Sequence, residues 1–342
     1  MKLLIPFDFG FHKYQPLGQP LPYEATGRKL ADEIAARDSS IELLLPQSAA
    51  ENAAMLADAD ALVAYSLKSG DFAAAGKLRW IQAASAGIDH FLRSSDPTLD
   101  DITARNVVLT KAAGVTRVVV AEHVFAMMLA MSRGVPRAVR QQDQRVWDIF
   151  MGAELCGATL GVVGLGGGIG GRVAELGRAF GMHVLGTLRS AAGYNGAAHE
   201  AFDASRVDEV LARSDYIVLA ASLNDSTRGL INARTLGLMK PNAIIINVSR
   251  GEVMVEPDLV AALKSGQIAG AALDTFGTPG RGDLRRLEEL DPKSELWDLS
   301  NVLVMPNNAS ATPKLPSHFA DIIVANCRRF IAGEPLLHRV EK

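Results

Sequence analysis

An α/β protein with two doubly wound parallel sheets is predicted by three features of the sequence. Short apolar runs alternate with helically spaced segments along most of the chain, the pattern of parallel strands covered by helices. The runs recur roughly every twenty to thirty residues, which is the rhythm of a doubly wound sheet. The length of 342 residues exceeds one ordinary domain and points to two.

The first series of expected strands is Lys2–Pro6, Ile41–Leu45, Ala61–Ala64, Trp80–Ala83 and Val107–Thr110, with helical spacing between them, as in Tyr23–Arg37. A long amphipathic stretch then runs from Val118 to Arg145. Gly134 and Pro136 interrupt it, so it is expected to form two helices or one kinked helix. The second series is Thr159–Val163, His183–Thr187, Tyr216–Ala220, Ala243–Val248, Ile268–Leu273 and Val302–Met305, and a last helix covers Ser317–Gly333. Segment Gly277–Lys293 is rich in Gly, Pro and charge and reads as a surface insertion.

Hydrophobic residues make up 48% of the chain and charged residues 21%, a balance that supports a large core. A net charge of -3 gives no electrostatic case for nucleic acid or anionic lipid as a partner. No run of about 18 apolar residues is present, so no membrane span is expected. The N-terminal MKLLIPFDFG is too weakly charged and apolar for a signal peptide. Cys156 and Cys327 form neither a disulfide framework nor a metal-ligand spacing, which leaves no metal site and a reducing cytoplasm as the expected compartment.

The segment ATLGVVGLGGGIGGRVAELGRAFGMHVLG reads as strand, glycine turn, helix and strand. Glycines permit a tight turn and close approach of the backbone to a pyrophosphate, and the helix start offers free N–H groups to the anion. This context makes a Rossmann-like dinucleotide site the expectation. Gly164 and Gly166 open the motif, but Gly170 arrives one residue late; reading Gly166, Gly168 and Gly171 instead restores the usual spacing. A longer turn and a shifted turn are both open at this point. At the end of the next strand the usual acidic residue is replaced by Leu188, followed by Arg189 and Ser190. No neighbouring carboxylate is evident there, and a guanidinium suits a 2′-phosphate. NADP(H) is therefore expected over NAD(H).

Six segments in order, WIQAASAGIDHFL, AEHVFAMMLAMSRG, GVVGLGGGIGGRVAELGRAFGMHVLG, STRGLINARTLGLMKPNAIIINVSRG, IAGAALDTF and LWDLSNVLVMPNNASATP, carry a resemblance. The chain resembles the D-2-hydroxyacid dehydrogenases, near their glyoxylate/hydroxypyruvate reductase branch. The resemblance implies a discontinuous substrate domain, 1–117 plus 309–342, with the cofactor domain 118–308 inserted in it and the active site in the cleft. It implies reduction of a small 2-oxo acid to a D-2-hydroxy acid, and a homodimer built around the long helix, whose MMLAM run fits either a dimer face or internal packing. It further implies that Ser85, Ala86 and Gly87 bind the substrate carboxylate, and that Gly164, Gly166, Gly168, Ile169, Gly170, Arg189, Ser190, Val248 and Asp274 bind cofactor.

Arg250 follows the apolar run in NVSRG, at a strand end where open α/β sheets bind ligands. It matches the family arginine that grips a 2-oxo acid. The family's acid is a histidine after a proline; here the pair is Pro306-Asn307. An amide hydrogen-bonds an oxyanion but supplies no proton. The histidine's glutamate partner falls on Pro279 when counted forward from Asp274, and on Glu288 when counted back from LWDLSNV. The second count is adopted because loops absorb insertions. His318, His90, His123, Lys111 and a water are the remaining candidate proton sources. Two other readings stand beside the reductase: altered carbonyl or imine chemistry on the same fold, and a cofactor-sensing module, as similarity to the C-terminal-binding-protein corepressors permits.

Overall fold

The computed structural model describes residues 1–6, 9, 24–88, 91–92, 97–277 and 290–341. It divides into two compact units, Met1–Thr116 with Ala311–Lys342, and Arg117–Ser310.

The first unit contains β1 (Lys2–Leu4), β2 (Glu42–Leu44), β3 (Ala61–Ala64), β4 (Trp80–Ala83) and β5 (Val108–Lys111). They pair in the order β2-β1-β3-β4-β5, every pair parallel. All four residues of β3 and of β4 are buried, as a sheet covered on both faces requires. Helix Leu315–Ala332 joins this unit: Phe319, Ile323 and Val324 pack in one core with Leu30 and Ile34 of helix Glu24–Arg37. Arg37 clamps the same pair of helices, donating to Asp321 at 2.7 Å and to the Ser317 hydroxyl at 2.7 Å.

The second unit contains β6 (Thr159–Val163), β7 (His183–Leu188), β8 (Glu200–Asp203), β9 (Tyr216–Leu219), β10 (Ile244–Asn247), β11 (Gly270–Leu273) and β12 (Val302–Val304). The order is β12-β11-β10-β9-β6-β7-β8, again all parallel. β6 lies between β9 and β7, so the strand order reverses beside it. That is where a doubly wound sheet opens a crevice at its carboxyl edge. β8 was not among the expected strands; EAFD is four residues long with two partly exposed positions, too short for a clear apolar run.

The stretch expected from Val118 to Arg145 forms two helices, Arg117–Ser132 and Val135–Gln144, bent by 61°. The break falls at Gly134, whose φ of 66° is left-handed, a conformation glycine adopts without steric cost. Met127 and Met128 are buried in the core of this unit, so the MMLAM run packs internally. The second helix buries no residue. No single helix among the described residues is long and apolar enough to cross a membrane. Most of the expected insertion Gly277–Lys293 lies outside the described residues.

Candidate active site

The carboxyl ends of five strands of the second unit carry the expected site residues. At the end of β6, Gly164 has φ +108°, and a Cβ there would meet the Ala221 nitrogen at 2.7 Å. Helix Gly168–Ala179 follows, with Gly167 at its N-cap. A Cβ on Gly170 would lie 2.2 Å from the Gly164 carbonyl oxygen. Gly166 and Gly171 have ordinary room, with nearest atoms at 3.5 Å and 3.6 Å. The two glycines the backbone demands are thus Gly164 and Gly170. These close approaches fall on the longer turn, Gly164-x-Gly166-x-x-x-Gly170, and not on Gly171 of the shifted reading. Gly166, Gly167 and Gly168 place no side chain over the helix start. The N–H groups of Gly168, Ile169 and Gly170 precede the first intrahelical bond, Gly171 N–H to the Gly167 carbonyl at 3.0 Å. This donor set fits a pyrophosphate.

Arg189 and Ser190 follow β7 and are exposed. Arg189 pairs with no carboxylate among the described residues. The expectation that no carboxylate lies near is corrected, however. β8 brings Asp203 into register with Leu188, and its Oδ1 accepts the Ala191 N–H at 2.7 Å. The contact crosses strands, so the linear sequence around Leu188 does not display it.

Beyond β10, Val248 is buried and Arg250 half-buried. The side chain of Asn247, fully buried, shapes this turn. Its Oδ1 accepts the Ser249 N–H at 3.0 Å and the Ser249 hydroxyl at 2.9 Å, while its Nδ2 donates to the Arg250 carbonyl at 3.0 Å. Arg250 donates from Nη1 to the Ser249 carbonyl at 2.8 Å. A Cβ on Gly251 would overlap the Phe276–Gly277 backbone, 1.8 Å from the Gly277 nitrogen, so the Arg250 turn packs on the chain after β11. Sequence reasoning missed Asn247 and Gly251. Their signal is an amide closing the apolar run IIIN and a glycine next to the arginine.

Asp274 follows β11 directly and is 2% exposed. Its carboxylate accepts the N–H groups of Asn308 at 3.0 Å and Ala309 at 3.1 Å, and the His123 imidazole stands 3.3 Å away. Asn307, half-buried after β12, has φ +54°, a left-handed conformation in which asparagine is among the best tolerated residues.

In the first unit, Ser85, Ala86 and Gly87 follow β4 as a half-buried turn closed by the Ser85 hydroxyl on the Gly87 carbonyl at 2.7 Å. His318 is exposed in the first turn of helix Leu315–Ala332. Glu288, Pro279 and His90 lie outside the described residues.

Residues 125–309 match the model of the family described as D-isomer specific 2-hydroxyacid dehydrogenase, NAD binding domain. A glyoxylate reductase of Pyrococcus furiosus is 33% identical over 291 residues, which cover 81% of this chain and 81% of the relative. A D-3-phosphoglycerate dehydrogenase of Methanocaldococcus jannaschii is 33% identical over 267 residues, 76% of this chain but only 47% of that relative; the chain spans about half the length of the phosphoglycerate dehydrogenases it matches. Among solved structures, the NADPH-dependent glyoxylate/hydroxypyruvate reductase of Sinorhizobium meliloti, in complex with NADP and sulfate, superposes with a TM-score of 0.76 at 25% identity, over 99% of this chain and 98% of that one.

Proposed function

The chain belongs to the D-isomer specific 2-hydroxyacid dehydrogenase family, and on that premise we propose that it reduces a small 2-oxo acid to a D-2-hydroxy acid using NADPH. The observation that carries this reading is the meeting, at the carboxyl edge of one parallel sheet, of the Gly164–Gly170 turn with Arg250, Asp274 and Asn307. In this reading the unit Arg117–Ser310 holds the cofactor.

Bound nicotinamide supplies the hydride. The Arg250 fork of donors matches the carboxylate and carbonyl of a 2-oxo acid and stabilises charge developing on the oxygen. Backbone N–H groups of Ser85, Ala86 and Gly87 hold the carboxylate. Asn307 donates an amide hydrogen bond to the reacting oxygen but delivers no proton, so water or another group of the site supplies it. Glu288 is kept in this reading as the counterpart of the family glutamate. Arg189 and Ser190 favour NADPH, with Val248 and Asp274 completing the cofactor site. Asn307 also favours a second reading, hydride transfer to a carbonyl or imine that needs less acid assistance.

NADPH and NADH oxidation followed with glyoxylate, hydroxypyruvate and bulkier 2-oxo acids tests this reading. Turnover faster with NADPH is expected. A wild type that binds NADPH yet turns over none of these acids removes it and leaves the altered chemistry or a cofactor-sensing role.

The partner in this reading is a second copy of the chain. Trp147, Ile149 and Met151 are 93%, 86% and 98% exposed, and Val135 and Val139 on the preceding helix are also exposed. Large apolar side chains exposed this close together along the chain support an interface. A dimer by light scattering that Trp147→Asp converts to monomer is the expected result. The free thiols Cys156 and Cys327 fit a reducing compartment such as the cytoplasm.

A further inference from the structure

The loop after β7 is held from the neighbouring edge strand. Asp203 closes β8 opposite Leu188 and accepts the Ala191 N–H at 2.7 Å. It also occupies the N-cap of the short 3-10 turn Ala204–Arg206, where an aspartate ordinarily bonds the N–H groups of its own helix. It makes no such bond and reaches across to the other loop instead. The nearby cations are engaged elsewhere: Arg206 pairs with Glu209 and lies over the Phe202 ring, and Arg213 pairs with Glu200 and Glu209. Two residues before Ala191 stands Arg189, exposed and with no carboxylate partner among the described residues. At the other end of the loop, the Leu188 Cβ is 3.5 Å from where a Cβ on Gly166 would stand. One short loop therefore runs from the glycine turn to Asp203.

We propose that Asp203 is a positioning residue for cofactor choice: by fixing Ala191 it holds Arg189 and Ser190 in the shape that grips a 2′-phosphate. The proposal rests on the NADPH reading above. As an anion Asp203 repels a phosphate, so its favourable contribution comes through the shape of the loop. A carboxylate on a backbone N–H is a strong tether, and the planar fork of Arg189 tolerates little misplacement if it is to bind bidentately.

Calorimetric titration with adenosine 2′,5′-bisphosphate and with 5′-AMP tests this without turnover. The wild type binds the bisphosphate more tightly. Asp203→Ala weakens the bisphosphate by about tenfold and leaves 5′-AMP within about twofold, as loss of one loop-ordering hydrogen bond predicts. Asp203→Asn, which keeps an acceptor for Ala191, restores most of the preference. An Asp203→Ala protein whose ratio of the two affinities is unchanged, or whose bisphosphate binding tightens, overturns the proposal. A wild type with no preference removes the NADPH reading and this proposal together, and the wild-type titration alone tells that case apart.

Discussion

Asp274 tethers Asn308 by its side chain: Oδ1 accepts the Asn308 N–H at 3.0 Å, and Oδ2 takes the next N–H, from Ala309, at 3.1 Å. The carboxylate at the end of β11 thus fixes the chain immediately after Asn307, which is itself held at φ +54°. Asp274→Ala leaves one buried and one partly buried donor unpaired, at a cost of about 1–3 kcal/mol. It also lets Asn307 drift, and misplacement of that order lowers kcat/KM by about a hundredfold. Denaturant unfolding and steady-state kinetics check the two effects separately. Unchanged kcat/KM in a destabilised variant would confine Asp274 to a structural role.

Gly170→Ala forces a methyl group against the Gly164 carbonyl, 2.2 Å from the Cβ position. Overpacking against backbone costs about 1–3 kcal/mol, and the turn that must relax is the one proposed to hold pyrophosphate. NADPH binding, read by fluorescence titration, is expected to weaken at least tenfold, an effect of the same size as that strain. Gly171→Ala, with its nearest atom at 3.6 Å, leaves binding close to wild type. The reverse order of effects would reinstate the shifted turn.

Asn326 joins the last helix to the first sheet. Its Nδ2 donates to Gln82 Oε1 at 3.2 Å and its Oδ1 accepts the Leu337 N–H at 2.7 Å. Gln82 Oε1 also accepts from the Thr110 hydroxyl, which in turn accepts from the Trp80 indole. All four side chains are buried. Asn326→Leu breaks this network and leaves polar partners unpaired, so unfolding free energy should fall by about 2–3 kcal/mol. A loss below about 0.5 kcal/mol would show that the network contributes little.

The two thiols differ in environment. Cys156 is exposed and Cys327 is buried, where desolvation pushes its thiol up to about 12. The thiolate is the reactive form, so a disulfide reagent at pH 8 should count one thiol per chain in the native protein and two after denaturation. Two fast thiols in the native state would contradict the packing of helix Leu315–Ala332.

Strong apolar runs such as ALVA and IIIN made most strands legible in the sequence, because strands buried on both faces need no alternation to be recognised. The two-helix break was legible for the same local reason, a glycine and a proline within three residues of each other. β8 was not legible, being short and partly exposed, and with it went Asp203. The glycine turn between strand and helix was legible, but not which glycines its backbone demands: Gly164 and Gly170 are singled out only by backbone atoms that approach them across the turn. The place of Arg250 after a strand was legible, whereas Asn247, which shapes its turn, is a polar side chain whose role depends on burial. The tether from Asp274 spans 34 residues in the chain, a separation over which local spacing carries no information.

NADPH oxidation in the presence of glyoxylate, compared for wild type, Arg250→Ala and Asn307→His, tests the reductase reading most directly. Removing the Arg250 fork should lower kcat/KM by about a hundred- to a thousandfold. Supplying an imidazole at Asn307 should raise kcat by tenfold or more, within the roughly hundred- to ten-thousandfold that a positioned acid contributes. Wild-type turnover that survives Arg250→Ala undiminished would contradict the account, because reduction of the 2-oxo acid would then proceed without the residue assigned to hold it.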